Sequence, residues 1–259
     1  MNVLTDPTLL EPAETGKSVT LAEQAYRAIK HDIISGALPP GSALRLEFLK
    51  NRYQLSFSPL REALSRLHSE HLVDAVALKG FRVSPLSLKE MQDAMSTRIF
   101  IDCEALKRSI ERGGDDWETR VVGSLHTLSL VTRRHSKHGV VSTVNNDGNA
   151  SKHVDNTLEN PDANYDQIEH RHLALHQALI SACDSEWLLE FSMKLYIQTE
   201  RYRRPMLVNL YKNAAPRDVS SEHRNLVEAT LSRDIPVATQ LLAQHYQKTA
   251  DMIEASLQA

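Results

Sequence analysis

Residues 55–67, Leu55-Ser56-Phe57-Ser58-Pro59-Leu60-Arg61-Glu62-Ala63-Leu64-Ser65-Arg66-Leu67, put apolar side chains at 60, 63, 64 and 67. That three-and-four spacing is one face of a helix. Ser58 followed by Pro59 reads as an N-cap with proline at the first helical position. Arg61 and Arg66 fall off the apolar stripe. Upstream, Leu44 to Tyr53 reads as a short helical stretch. Before it, Leu21, Ala25, Ala28, Ile29, Ile33 and Ile34 recur at helical spacing and close on Ser35-Gly36-Ala37-Leu38-Pro39-Pro40-Gly41, rich in helix terminators. Downstream, Val73–Ala77 and Phe81–Val83 are β-rich and flank Leu78-Lys79-Gly80, the pattern of a small hairpin. Two short helices, a tight turn and a hairpin are the parts of a winged helix-turn-helix, whose second helix enters the DNA major groove.

From Lys89 onward the confident elements are helical: Met91–Glu111 ending at Gly113-Gly114, Trp117–Arg134, Tyr165–Cys183, Trp187–Arg203, Val219–Leu231 and Ile235–Leu257. Residues 136–164, with Asn145-Asn146-Asp147-Gly148-Asn149 and Asn160-Pro161, read as a long loop. The expected fold is mainly α: a flexible arm over 1–18, a winged helix-turn-helix with a small β-hairpin wing over 19–85, and an all-α helical bundle over 86–259. Residues 84–89 would connect the two domains.

The 259 residues are 41% hydrophobic, enough for real cores. No run of eighteen apolar residues occurs, and Met1–Lys17 lacks the basic-then-apolar order of a signal peptide, so a cytoplasmic protein without a membrane partner is expected. Cys103 and Cys183 read as reduced core thiols. Net charge is -3, which alone argues against nucleic acid. The charge is uneven, however: residues 21–85 carry 9 Lys or Arg against 6 Asp or Glu.

The N-terminal third resembles the GntR family of bacterial regulators. Tyr26, Ile33-Ile34-Ser35-Gly36-Ala37-Leu38-Pro39-Pro40-Gly41, Leu44, Leu49, Leu55-Ser56, Ser58-Pro59-Leu60-Arg61-Glu62-Ala63-Leu64, Leu67, Leu72-Val73 and Gly80-Phe81-Arg82-Val83 carry the resemblance. It implies that Arg61, with Ser56 and Ser58, contacts double-stranded operator DNA. Arg45, Lys50 and Arg52 would meet phosphates or groove edges, and Lys79 with Gly80 would form the wing tip. Arg61 and Arg66 could instead be solvated helix residues paired with Glu62 and Glu70. The family usually has arginine where this chain has Phe57, so operator sequence does not carry over from relatives, and an apolar contact with a thymine methyl is one replacement. Reading a palindrome further implies a homodimer.

His172 and His176 lie four apart on a helix with the inward stripe Ile168, His172, Leu175 and Leu179. His223 and His245 sit beside apolar positions on two other helices, so imidazoles from three helices can meet at one interior point, as in bundles that hold a divalent metal. A lone histidine in such a place is more often a core group satisfied by one hydrogen bond. The helical half resembles the FadR C-terminal domain, which places an aspartate and three histidines around zinc or nickel. Here His176, His223 and His245 match the histidines, and His172 stands at the aspartate position. Four neutral imidazoles leave the metal charge uncompensated, so a small carboxylate effector is expected beside it. By the same resemblance Arg98 points into the pocket, and Arg201 or Arg203 supplies a second carboxylate clamp, the alternative for those two being a solvated helix face. A likeness to the branch that represses glutarate catabolism makes a glutarate-like dicarboxylate the leading effector class. The expected function is a repressor of a catabolic operon, with no enzymatic activity. A metal-dependent hydrolase or a ligand-independent DNA binder are the rivals.

Overall fold

The computed structural model describes residues 19–138, 161–210 and 217–258. The expected arm over 1–18 and the centre of the expected loop, 139–160, lie outside them. The chain divides into two units, one ending at Pro85 and the next starting at Leu86.

In the first unit, α1 (Leu21–Ile34) starts where Thr20 accepts a hydrogen bond from the Glu23 N–H at 3.1 Å. It stops at Ser35-Gly36, where Gly36 takes φ +79°. Next come β1 (Ala43–Leu44), α2 (Leu46–Tyr53), α3 (Phe57–Ser69), β2 (Val73–Val76) and β3 (Gly80–Val83). The strands form one antiparallel sheet in the order β1-β3-β2, with Val73 opposite Val83 and Ala43 opposite Arg82. Ile29, Leu49, Leu60, Leu64, Leu67 and Val83 are fully or almost fully buried between helices and sheet. Polar groups pin the helices as well. Tyr26 and Lys30 on α1 both bond Glu70 just past α3, while Asp32 holds Arg52 and Tyr53 of α2.

Two expectations need correction here. Leu44 belongs to strand β1, not to a helix, because its backbone pairs with Phe81 of β3; the wing is therefore three-stranded. The recognition helix begins at Phe57 with Ser56 as N-cap, so Ser58 and Pro59 lie inside its first turn. Proline is tolerated there because the first-turn N–H groups have no intrahelical acceptor.

The second unit is helical among the described residues: α4 (Leu88–Arg112), α5 (Asp115–His138), α6 (Pro161–Ile180), α7 (Glu186–Leu210), α8 (Val219–Leu231) and α9 (Ile235–Gln258). The expected loop is thus shortened from both sides, by α5 running to His138 and α6 starting at Pro161. Helix α4 packs on α6, α7 and α9, while α5 packs on α6 and α8. Both cysteines are free thiols; Cys183 is buried, Cys103 only partly.

The α4–α5 corner depends on Gly113. Its missing Cβ would stand 2.2 Å from the Trp117 ring and 2.7 Å from the Ser109 carbonyl oxygen. Trp117 cannot yield, being 2% exposed and donating its indole N–H to the Ala178 carbonyl at 2.9 Å. Gly113→Ala is therefore expected to cost about 1–3 kcal/mol by overpacking. Urea unfolding of the variant checks this, and an unchanged midpoint would show that the corner relaxes freely.

Candidate functional site

On the first unit, Arg45, Lys50, Ser56, Phe57, Ser58, Arg61, Lys79 and Gly80 are all exposed. Ser56 makes no side-chain cap bond and α3 has no acidic residue in its first turn, so no side-chain carboxylate there neutralises the positive end of the helix. Arg61 makes no ion pair among the described residues, against the pairing with Glu62. Arg66 does pair, with Glu23 at 2.7 Å and Glu70 at 3.6 Å, and its guanidinium lies 3.6 Å from the Tyr26 ring centre. Arg66 thus braces α3 on α1. Arg52 is exposed but tied to Asp32 at 2.7 Å, so its first role is joining α2 to α1. Lys79 and Gly80 occupy the β2–β3 turn, where Leu78 and Gly80 both take positive φ.

In the second unit the fold brings His172 and His176 of α6, His223 of α8 and His245 of α9 together. One ring nitrogen from each lies within 4.8 Å of all the others. The spacing on α6 explains the first pair, since residues four apart share a face; His172 Nε2 and His176 Nε2 are 3.1 Å apart. His176, His223 and His245 are 3 to 6% exposed. Burial dominates their titration. It pushes His223 down to about 3 and holds the other three below the usual histidine value, with neighbouring cations adding to the effect on His172 and His176. All four are neutral imidazoles at pH 7.

The outward nitrogens are fixed by partners. His245 Nδ1 donates to Glu222 at 2.9 Å. His176 Nδ1 lies 3.0 Å from the Tyr246 hydroxyl, which donates to Asp102 at 2.7 Å. These bonds leave Nε2 as the nitrogen each ring can offer. His172 Nδ1 has competing neighbours, Arg203 at 3.1 Å and Glu169 at 3.4 Å. Accepting from Arg203 leaves a proton on Nε2; donating to Glu169 frees it. His223 Nε2 is buried with no hydrogen-bond partner. A buried, unsatisfied nitrogen costs about 1–3 kcal/mol. The donor set, its outer carboxylates and this orphaned atom fit a divalent cation.

Three of the histidines, His172, His223 and His245, border a cavity of about 160 Å³. Leu125, Leu128, Ile168 and Met252 give it apolar walls, and neutral His172, His223 and His245 with Arg203, Arg217 and Glu169 give it a polar end. Arg203 is held by Glu169 and Glu200. Burial pushes Glu200 up to about 7 although Arg203 pulls the other way. Two expected effector residues fall elsewhere. Arg98 is buried but spends its guanidinium on Thr199 at 2.9 Å, Tyr246 at 3.2 Å and Asp102 at 3.2 Å, outside the cavity lining. Arg201, two positions from Arg203, sits on the other side of α7, near the Tyr202 ring.

Sequence reasoning missed Arg217, Glu222 and Glu169. Arg217 precedes the α8 N-cap, reads as a loop residue, and reaches both Glu222 and the His245 carbonyl, the latter at 2.8 Å. Adjacency was the available signal for the carboxylates, since Glu222 neighbours His223 and Glu169 lies three before His172 on one helix face.

Among the described residues no helix is long and apolar enough to cross a membrane. Residues 21–83 match the model of bacterial regulatory proteins of the gntR family, and residues 150–248 match the FCD domain. The HTH-type transcriptional regulator BphR of Paraburkholderia xenovorans strain LB400 is 37% identical, over 90% of this chain and 85% of that protein. The HTH-type transcriptional repressor GlaR of Escherichia coli strain K12 is 32% identical, over 90% of this chain and 95% of that protein. The solved structure of E. coli McbR/YncC shares the fold at a TM-score of 0.67 and 19% identity, covering 93% of this chain and all of that one. These families and relatives are regulators rather than enzymes, so the hydrolase reading falls. With a helix-turn-helix whose β2–β3 hairpin is completed by strand β1, and an FCD domain following it in sequence, the chain belongs to the GntR family of transcription regulators.

Proposed function

We propose that this regulator is a homodimeric repressor whose FCD domain holds a divalent metal, zinc or nickel, on His172, His176, His223 and His245, and releases operator DNA when a small carboxylate enters the adjoining cavity. The observation that carries this reading is the convergence of four neutral imidazoles, one with an orphaned Nε2, three of which (His172, His223 and His245) line a cavity that also presents Arg203 and Arg217. The bound cation supplies positive charge that an anionic effector neutralises. Arg203 and Arg217 orient the effector, and the apolar walls select a short aliphatic body. A glutarate-like dicarboxylate, with an acid group at each end, is the leading class. Titrating effector candidates into a complex of the protein with an operator duplex selected from random sequence tests this. Release by dicarboxylates and not by matched monoamines supports it; a complex indifferent to every acid makes the protein a ligand-independent DNA binder.

On the DNA side, Arg61 lies exposed on α3 and has no ion-pair partner among the described residues. Arg61→Ala is expected to weaken specific binding by about 1–3 kcal/mol and leave folding intact. A gel-shift titration with unchanged affinity removes Arg61 from the interface. Palindrome reading requires two copies, so sedimentation at micromolar protein is expected to give twice the 29.2 kDa chain mass; a species of single-chain mass alone contradicts the dimer.

A further inference from the structure

The apolar stripe of α3 runs through Leu60, Leu64 and Leu67, each wholly buried, and extends one turn beyond the core to Phe57, which is 37% exposed. This aromatic ring opens the helix that, in the DNA-binding reading proposed above, enters the major groove, between exposed Ser56 and Ser58 and four residues before exposed Arg61. It is not loose: the Lys50 ammonium of α2 lies 5.1 Å from the ring centre, a cation–π contact that covers one side of the ring. A phenyl ring has no donor or acceptor, so it can take neither a phosphate nor the polar edge of guanine, adenine or cytosine. In the major groove the one apolar feature that distinguishes a base pair is the C5-methyl group of thymine.

We propose that Phe57 is a specificity-determining residue that reads a thymine methyl group in each operator half-site, with Lys50 holding the ring in place. Arg61, one turn further on, then serves the polar contacts of neighbouring base pairs.

The test uses the full-length protein and a duplex enriched from a random-sequence library by wild-type binding. Each thymine in it is replaced singly by deoxyuridine, which deletes the methyl group and leaves pairing and phosphates unchanged. The expected result is one thymine per half-site at which the replacement weakens wild-type binding about three- to tenfold, the scale of one lost apolar base contact. Phe57→Leu keeps that sensitivity. Phe57→Ser, conservative for folding because the site is on the surface, binds thymine and uracil duplexes alike. Wild-type binding that is specific yet indifferent to every uracil replacement overturns the assignment while leaving DNA recognition standing. So does a uracil effect of equal size in wild type and Phe57→Ser, which would place the methyl contact on another residue.

Discussion

Stripping divalent metal from the purified protein is expected to lower the unfolding temperature of the Leu86–Ala259 unit by roughly 10 °C. A ligand that binds only the folded state, present at about a thousand times its dissociation constant, stabilises by roughly 4 kcal/mol, and a domain of this size shifts a few degrees per kcal/mol. The effect runs through the histidine cluster because its four donors come from three helices, α6, α8 and α9, which a cation on those nitrogens ties together. His223 is the informative position. Its Nε2 has no other partner, so His223→Ala removes a donor without breaking a described hydrogen bond at that atom. The variant is expected to lose metal, read by mass spectrometry, and to unfold at the same temperature with or without chelator. A dicarboxylate is expected to raise the wild-type midpoint only in the metal-loaded protein. Less than about a tenth of an equivalent of metal in reconstituted wild type, or an effector shift that chelator leaves untouched, returns the four histidines to a purely structural role.

The metal-free protein is expected to lose stability as pH falls below about 6.5, the ordinary histidine value. In the folded state burial holds His172 and His176 well below the ordinary histidine value, His223 down to about 3, and His245 below that value. Unfolding returns them to water, where they take up protons. Between the folded and unfolded pKa values the unfolded chain therefore binds more protons, and the folded state weakens on acidification, by up to about 1.4 kcal/mol per histidine per pH unit. Glu200 acts in the opposite sense: pushed up to about 7 by burial, it holds a proton in the folded state that the unfolded chain releases above the normal carboxylate range. One carboxyl against four imidazoles leaves the histidines dominant. Urea unfolding in chelator from about pH 7.5 down to pH 5 checks the slope, and His223→Gln is expected to flatten it. A midpoint constant over that range would mean that the folded cluster takes up protons as readily as the unfolded chain does.

Residues 19–85 were legible because their elements are local. The stripe Leu60, Ala63, Leu64 and Leu67, the terminators after Ile34 and the hairpin around Gly80 each act within a few residues, and periodicity with turn chemistry reports such features directly. Strand β1 was not legible. Two residues carry no period, and Ala43-Leu44 becomes a strand only because Phe81 and Arg82 arrive beside it from forty residues away. The same division holds in the helical unit. The four-residue spacing of His172 and His176 showed that two rings share a face, but their convergence with His223 and His245 depends on helix packing. Side-chain direction was decided later still. Resemblance offered Arg98 and Arg201 or Arg203 alike to the pocket, yet helix rotation turns Arg203 to the cavity and leaves Arg98 and Arg201 outside it, while Arg217 enters from a position that looked like a loop. Sequence alone determined what short-range periodicity and turn chemistry can encode: the helices, their polar and apolar faces, and the order of the two units. Tertiary structure decided which polar groups left on those faces meet, because that depends on how distant helices rotate to bury their apolar stripes.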